Sequence, residues 1–256
     1  MTGRRSLLSR RALIGGIGAG TGLLLSGCDR LNESDSWRRT LRLAEQGNEA
    51  AQRALTARMA LAREFDPHHI SRKFPENGTR RPQEAGYQAM VQNGFADWSL
   101  KVDGLVEKRL ALPLGQLRQM PSRNQITRHD CVEGWSAIGK WTGVPLSHIL
   151  DLAGLMPKAR YLVFHCADRL GGVPYYESID LIDARHPQTI LAWALNDQML
   201  PVGHGAPLRL RVERQLGYKH AKYVMRIEAV ERLTGIYGGR GGYWEDVADY
   251  EWYAGI

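Results

Sequence analysis

Cysteine is scarce in this chain: three residues in 256, at positions 28, 131 and 166. None sits in a CxxC pair, a CxxCH haem-attachment site or zinc-finger spacing, which excludes c-type haem by its usual motif. A Cys/His zinc site can be drawn from His129 and Cys131 or from His165 and Cys166, but no histidine pair has the i, i+4 spacing of a helical zinc motif. Internal repeats and low-complexity tracts are absent. The apolar run Ala12 to Ser26 is too short and too rich in glycine for a comfortable membrane span. Charge of one sign is also in short supply. The formal net charge is +7, but Arg4, Arg5, Arg10 and Arg11 precede Cys28 with no acid among them, so the chain from Cys28 onward carries +7 less four, or +3. So small an excess does not call for nucleic acid as a partner.

What is present begins at the N-terminus. Ser9-Arg10-Arg11-Ala12-Leu13-Ile14 is a twin-arginine pattern ahead of the apolar run. The run ends in Leu25-Ser26-Gly27-Cys28, which resembles a bacterial lipoprotein cleavage box. The glycine string Gly15 to Gly22 lacks G-x-G-x-x-G spacing and has no strand before it, so it is not read as a nucleotide loop. The expectation is export in the folded state, acylation of Cys28, and residence at the periplasmic face of the inner membrane. Asp29 after Cys28 resembles an inner-membrane retention signal. More than one acyl chain would make the tether firm.

Four segments follow from this reading: a signal peptide over 1–27, a tether over 28–36, a helical segment over 37–66 and one domain over 67–256. Trp37, Leu41, Ala44, Ala51, Leu55, Met59 and Ala62 recur at helical spacing, predicting a helix from Trp37 to Phe65 with a possible break at Gly47-Asn48. Pro67, Pro75, Asn77-Gly78 and Pro82 predict an irregular stretch. Strands are expected over Ser99–Val106, Tyr161–Cys166, Leu208–Val212 and Tyr223–Leu233, with a short helix over Leu146–Ala153. Without a regular βαβ rhythm, the fold class is α+β.

In an oxidising compartment, composition alone leaves a Cys131–Cys166 disulfide open. The motifs point elsewhere. His129-Asp130-Cys131-Val132-Glu133-Gly134-Trp135-Ser136, then Trp141-Thr142-Gly143-Val144-Pro145-Leu146, resembles the molybdopterin-binding domain of the sulfite-oxidase superfamily, in particular its periplasmic methionine-sulfoxide reductase catalytic subunits. Two later blocks resemble the same family: Gly203-His204-Gly205-Ala206-Pro207-Leu208-Arg209-Leu210 and Gly217-Tyr218-Lys219-His220-Ala221-Lys222. The resemblance covers roughly Asn77 to the C-terminus. It implies a mixed α/β molybdopterin-binding fold and a molybdenum-molybdopterin cofactor.

The resemblance makes Cys131 the metal ligand, because molybdenum held by a pterin dithiolene takes a further soft anionic donor. A disulfide to Cys166 would remove that ligand. Arg209, Lys222 and the loop around His220 are the expected holders of the cofactor's anionic tail. Asn77, His204, Cys166 and the backbone of Ala221 match family cofactor contacts by position, with Cys166 standing where a relative has threonine.

Glu133 departs from the sulfite oxidases, whose corresponding stretch resembles Cys-Ala-Gly-Asn-Arg-Arg. A carboxylate there disfavours a dianion and can serve proton transfer, so the expected reaction is two-electron oxygen-atom transfer with reduction of a small S-oxide. Sulfite oxidation and a non-catalytic lipoprotein that retains the fold are the alternatives. Electrons are expected from a membrane haem protein, and the chain is expected to be monomeric. The aromatic and acidic run from Gly242 to Tyr253 resembles the family's ending; plain packing is the first expectation for it, with lining a substrate funnel or meeting the electron donor as the alternatives.

Overall fold

The computed structural model describes residues 34–256, Asp35 in its backbone alone. The twin-arginine stretch, the cleavage box and Cys28 lie outside the described residues. The chain divides into two units, one ending at Ala54 and one running from Leu55 to Ile256. Helix α1 (Asp35–Leu55) carries basic Arg53 in its last turn, which suits the negative end of a helix dipole, and Arg53 pairs with Glu49 one turn earlier. It runs through Gly47-Asn48 without a break. Among the described residues no helix is long and apolar enough to cross a membrane.

The predicted continuation of this helix to Phe65 does not form. Tertiary hydrogen bonds draw the chain out after Leu55 instead. The Gln188 side chain accepts from Ala62 N at 2.7 Å and donates to Ala62 O at 3.0 Å, and Phe65 N donates to Ile126 O at 2.9 Å. A periodic apolar pattern is thereby overridden by contacts remote in sequence. The stretch after Pro67 is largely irregular, as predicted, but contains helix α2 (Ala85–Gln92), which buries Tyr87.

Two sheets build the larger unit. The first has order β2-β1-β10-β5-β6, from β1 (Ser99–Gly104), β2 (Leu110–Pro113), β5 (Tyr161–Leu170), β6 (Val173–Asp180) and β10 (Val224–Val230). Its β1–β10 pair is parallel and the others antiparallel. The second joins β3 (Arg123–Asp130), β4 (Ser136–Pro145), β7 (Ile190–Leu195) and β8 (Gln198–Met199) in that order, with β9 (Arg209–Arg211) also on β7. Every residue of β7 is buried, as befits a strand covered on both faces. Short helices α3 (Leu114–Gln119), α4 (Leu146–Ala153), α5 (Leu181–Ala184) and α6 (Tyr243–Ala248) complete the unit. The α+β expectation therefore holds.

The main core draws from both sheets and from α4: Leu100, Leu162, Phe164 and Ile227 from the first, Val144, Leu191 and Leu210 from the second, and Ile149 and Leu150 from the helix. A smaller cluster around Phe74 and Trp141 backs the second sheet where the Cys131 motif emerges.

Candidate active site

Cys131 occupies the turn that joins β3 to β4. The strand pair closes at Asp130 opposite Ser136. Cys131 N then donates to Trp135 O at 2.9 Å, and Gly134 N donates to Cys131 O at 3.0 Å. Gly134 has φ +87°, a left-handed conformation that explains glycine at this place in the motif. Cys131 is 8% exposed. Burial pushes its pKa up, opposed by the Glu133 backbone N–H and, at 3.9 Å, by the Asn77 amide. Both Cys131 and Cys166 are free thiols, so among the described residues no disulfide competes for Cys131.

The turn opens into a cleft of about 690 Å³, its mouth included. Asn77, Cys131, Glu133, Arg209, His220 and Lys222 all reach its wall, so six of the nine predicted site residues converge. The other three are not among its lining residues. Cys166 lies half-buried against the main core. Ala221 is fully buried, its N–H turned to Lys219 O and its carbonyl to Leu210 N. His204 contributes its carbonyl to Arg209 at 3.3 Å, while its ring packs edge-on against Phe74.

Arg209 is the most unusual group of the wall. It is 1% exposed, and no carboxylate lies within ion-pair distance among the described residues. Nε and Nη2 have no hydrogen-bond partner among the described residues. Burial, then the charge of Arg211, lowers its pKa to about 9. Two strand positions on, Arg211 is fully satisfied: it grips Glu213 through Nε at 2.9 Å and Nη2 at 2.7 Å and donates from Nη1 to His129 Nδ1 at 2.9 Å. Its guanidinium stacks over Trp141 at 4.3 Å. One buried arginine is thus structural, while the other is short of an anion.

That bond to Arg211 also sets the His129 tautomer: Nδ1 accepts, so Nε2 carries the proton. A Cβ at Gly217 would stand 2.5 Å from His129 Nε2, so the Gly217–His220 loop approaches β3 this closely only with glycine. His220 donates from Nε2 to Gln215 O at 3.0 Å and leaves Nδ1 without a partner. Burial first, and then the neighbouring guanidiniums, push both imidazoles well below their ordinary range.

Lys222 differs from its sequence expectation in detail. Its ammonium donates to the carbonyls of Asn77 at 2.7 Å, of Thr79, and of Gly203 at 3.0 Å. Three carbonyls take its three protons, so it fastens the Asn77–Thr79 wall rather than standing ready for an anion. Burial and Arg209 lower its pKa to about 7.

Asp168, which nothing in the sequence singled out, lines the cleft beside Thr79 at 3% exposure. It sits where the β5–β6 register shifts, and such an irregularity re-aims side chains without a sequence signature. Burial pushes its pKa up to about 6, against the opposing pull of Thr79 and Lys222. A carboxyl displaced upward from 3.8 gives stability that is complete below the lower value and lost as pH rises through about 6, by roughly 3 kcal/mol. In cofactor-free protein, the unfolding free energy of the wild type should therefore fall relative to Asp168→Asn between pH 4 and 7. Parallel denaturant curves across that range would contradict it.

The remaining wall is aromatic and comes from the C-terminal segment. Trp244 and Tyr250 stack at 5.7 Å and Tyr218 meets Tyr250 edge-on at 5.1 Å, so the run from Gly242 onward does line the cleft. Its fastening is a fully buried triad: Lys219 pairs with Glu177 of β6 at 2.8 Å and with Glu245 of α6. Burial and the neighbouring Glu245 drive the Glu177 pKa well up, while Glu177 and Glu245 more than offset burial at Lys219 and hold its charge.

A buried thiol at a strand turn, a buried guanidinium without a counter-ion among the described residues, and a glycine-led loop line one cleft on a mixed two-sheet fold. The model of the oxidoreductase molybdopterin binding domain matches residues 87–235, and the chain belongs to that family. It is 37% identical, over 98% of its length and 87% of the relative's, to an Azospira oryzae protein provisionally named protein-methionine-sulfoxide reductase subunit YedZ1. It is also 40% identical to the protein-methionine-sulfoxide reductase catalytic subunit MsrP of Xanthomonas axonopodis, over 54% of this chain and 47% of that one. The chain thus aligns with about half the length of that catalytic subunit. The solved sulfane dehydrogenase SoxCD of Paracoccus pantotrophus is 25% identical over 54% of this chain and 39% of its own, with a TM-score of 0.49. The protein is an oxidoreductase of the molybdopterin-binding class.

Proposed function

We propose that the chain is a molybdenum-cofactor enzyme that reduces S-oxides, with methionine sulfoxide as the first substrate to test. The donor set of the cleft fits a molybdopterin. Arg209 offers two unpartnered buried nitrogens to a phosphate, Asp168 offers a carboxyl to the N–H edge of a pterin, His220 offers an unpartnered ring nitrogen, and Cys131 offers a thiol that a metal can deprotonate. When bound, the cofactor supplies two-electron oxygen-atom-transfer chemistry. The protein's part is to position, to exclude water and to move a proton.

Glu133 carries the substrate assignment. Its Oε2 accepts from the Trp135 indole at 3.0 Å, so the carboxyl is held at the mouth of the cleft two residues from Cys131. An anion there works against sulfite by about 1 to 4 kcal/mol per unit charge at 4 Å, depending on local dielectric. A neutral S-oxide pays no such penalty, and the same carboxylate can relay a proton taken up from solvent to the oxygen that the substrate gives up. The stacked Trp244 and Tyr250 present an apolar face suited to a methyl thioether. The names of the relatives point to the same substrate. Electrons would come from a membrane haem protein, and export through the twin-arginine route with a lipid at Cys28 would put the enzyme on the periplasmic face of the inner membrane.

Steady-state assays with methionine sulfoxide and a reduced dye, beside sulfite and ferricyanide, test the reading. Turnover of the sulfoxide with little or none of sulfite is expected. Turnover of sulfite alone would sink it.

A further inference from the structure

Asp66, His68 and His69 offer one ligand atom each, and these atoms lie within 4.8 Å of one another. They belong to a single 3-10 turn, Pro67–His69, closed by His69 N to Asp66 O at 3.0 Å and Ile70 N to Pro67 O at 3.2 Å. Asp66 stands at the N-cap, where a carboxylate ordinarily takes a backbone N–H. Its side chain makes no such bond. None of the three side chains has a hydrogen bond or ion pair among the described residues, and all three are exposed.

The turn is anchored on both flanks. Phe65 N donates to Ile126 O of β3, while Ser71 exchanges bonds with Ile138 of β4, its N–H to Ile138 O at 3.0 Å and its Oγ from Ile138 N at 2.9 Å. The two imidazoles stand 3.9 Å apart, and Phe65 meets His69 edge-on at 5.9 Å. Convergence on an anchored turn removes much of the ordering cost that a ligand set on a loose loop would pay.

We propose that Asp66, His68 and His69 bind one divalent transition-metal ion, of the Zn²⁺ or Cu²⁺ kind, apart from the cofactor cleft. Two imidazoles and one carboxylate suit borderline ions, whereas Ca²⁺ and Mg²⁺ take oxygen sets. Donors about 2.0–2.2 Å from a tetrahedral ion lie roughly 3.4 Å from one another, a closure that exposed side chains can make by rotation. The fourth position is left to water or to a donor from another molecule.

Full-length, cofactor-loaded protein without a polyhistidine tag should be titrated with Zn²⁺, and separately with Cu²⁺, against a chromophoric chelator. One equivalent should bind with a Kd below about 10 μM, and at least about tenfold more weakly in His68→Ala/His69→Ala and in Asp66→Asn. Molybdenum content and dye-linked turnover should be the same in all three proteins. Failure of the wild type to compete with the chelator would overturn the site. So would variants that bind the ion as tightly as the wild type, since the ion would then be held elsewhere.

Discussion

Replacing Cys131 with serine should abolish turnover, by at least about a thousandfold or 4 kcal/mol in barrier, and leave the fold intact. The side chain's contribution to stability is small, since its one side-chain hydrogen-bond partner among the described residues is the Asn77 amide at 3.9 Å. As the proposed ligand of a soft metal it would contribute much more, because a hydroxyl is a harder donor that ionises far less readily than a thiol. Thermal unfolding should be shifted little, while molybdenum per chain falls or its spectroscopic signature changes. A variant with full activity and unaltered metal would remove Cys131 from the ligand set.

Arg209→Met should act in opposite directions on the empty and the loaded protein. In the empty cleft the guanidinium is a buried cation without an anion. A pKa lowered from 12.5 to about 9 places the cost of holding that charge at roughly 5 kcal/mol, and it is present at neutral pH because the group stays protonated in both states. An apolar side chain of similar length relieves most of it and loses the 3.3 Å bond to His204 O. Cofactor-free Arg209→Met should therefore be more stable than the wild type by about 1–4 kcal/mol. Retention of the cofactor should fall at least about a hundredfold, because a charge-assisted pair to phosphate is lost in a dry site. Denaturant unfolding of the empty protein and pterin content of the loaded one are separate readouts. Destabilisation of the empty protein would show that Arg209 serves the fold and not an anion.

Legibility in the sequence followed the kind of constraint each residue satisfies. Cys131, Glu133 and Arg209 were readable because chemistry fixes the residue type within a short ordered stretch, and the structure brings all three to one cleft. Cys166, on β5, and Ala221, in the loop before β10, were legible by position alone, and position does not say which way a residue faces. Lys222 was readable as a charge, but not as the donor to three carbonyls, since those carbonyls come from segments 145 and 19 residues away. Asp168 gave no signal because a register shift turns it inward.

The fold shows the same division. Helix α4 and strand β1 were legible from local pattern. Strand β7, apolar throughout as Ile190-Leu191-Ala192-Trp193-Ala194-Leu195, has no alternation to read, and the helical periodicity of 56–65 is overridden by Gln188 and β3.

The buried Lys219–Glu177–Glu245 triad makes the final stretch of chain part of the construction of the cleft proposed to hold the cofactor. Lys219 belongs to the loop beside His220, and Glu245 to the helix that carries Trp244. Neither wall can swing away without stranding charge in a dry interior. A nick or truncation after Gly242 would accordingly be felt at Gly217–His220, and damage at the very end of the polypeptide would register as failure to retain a pterin.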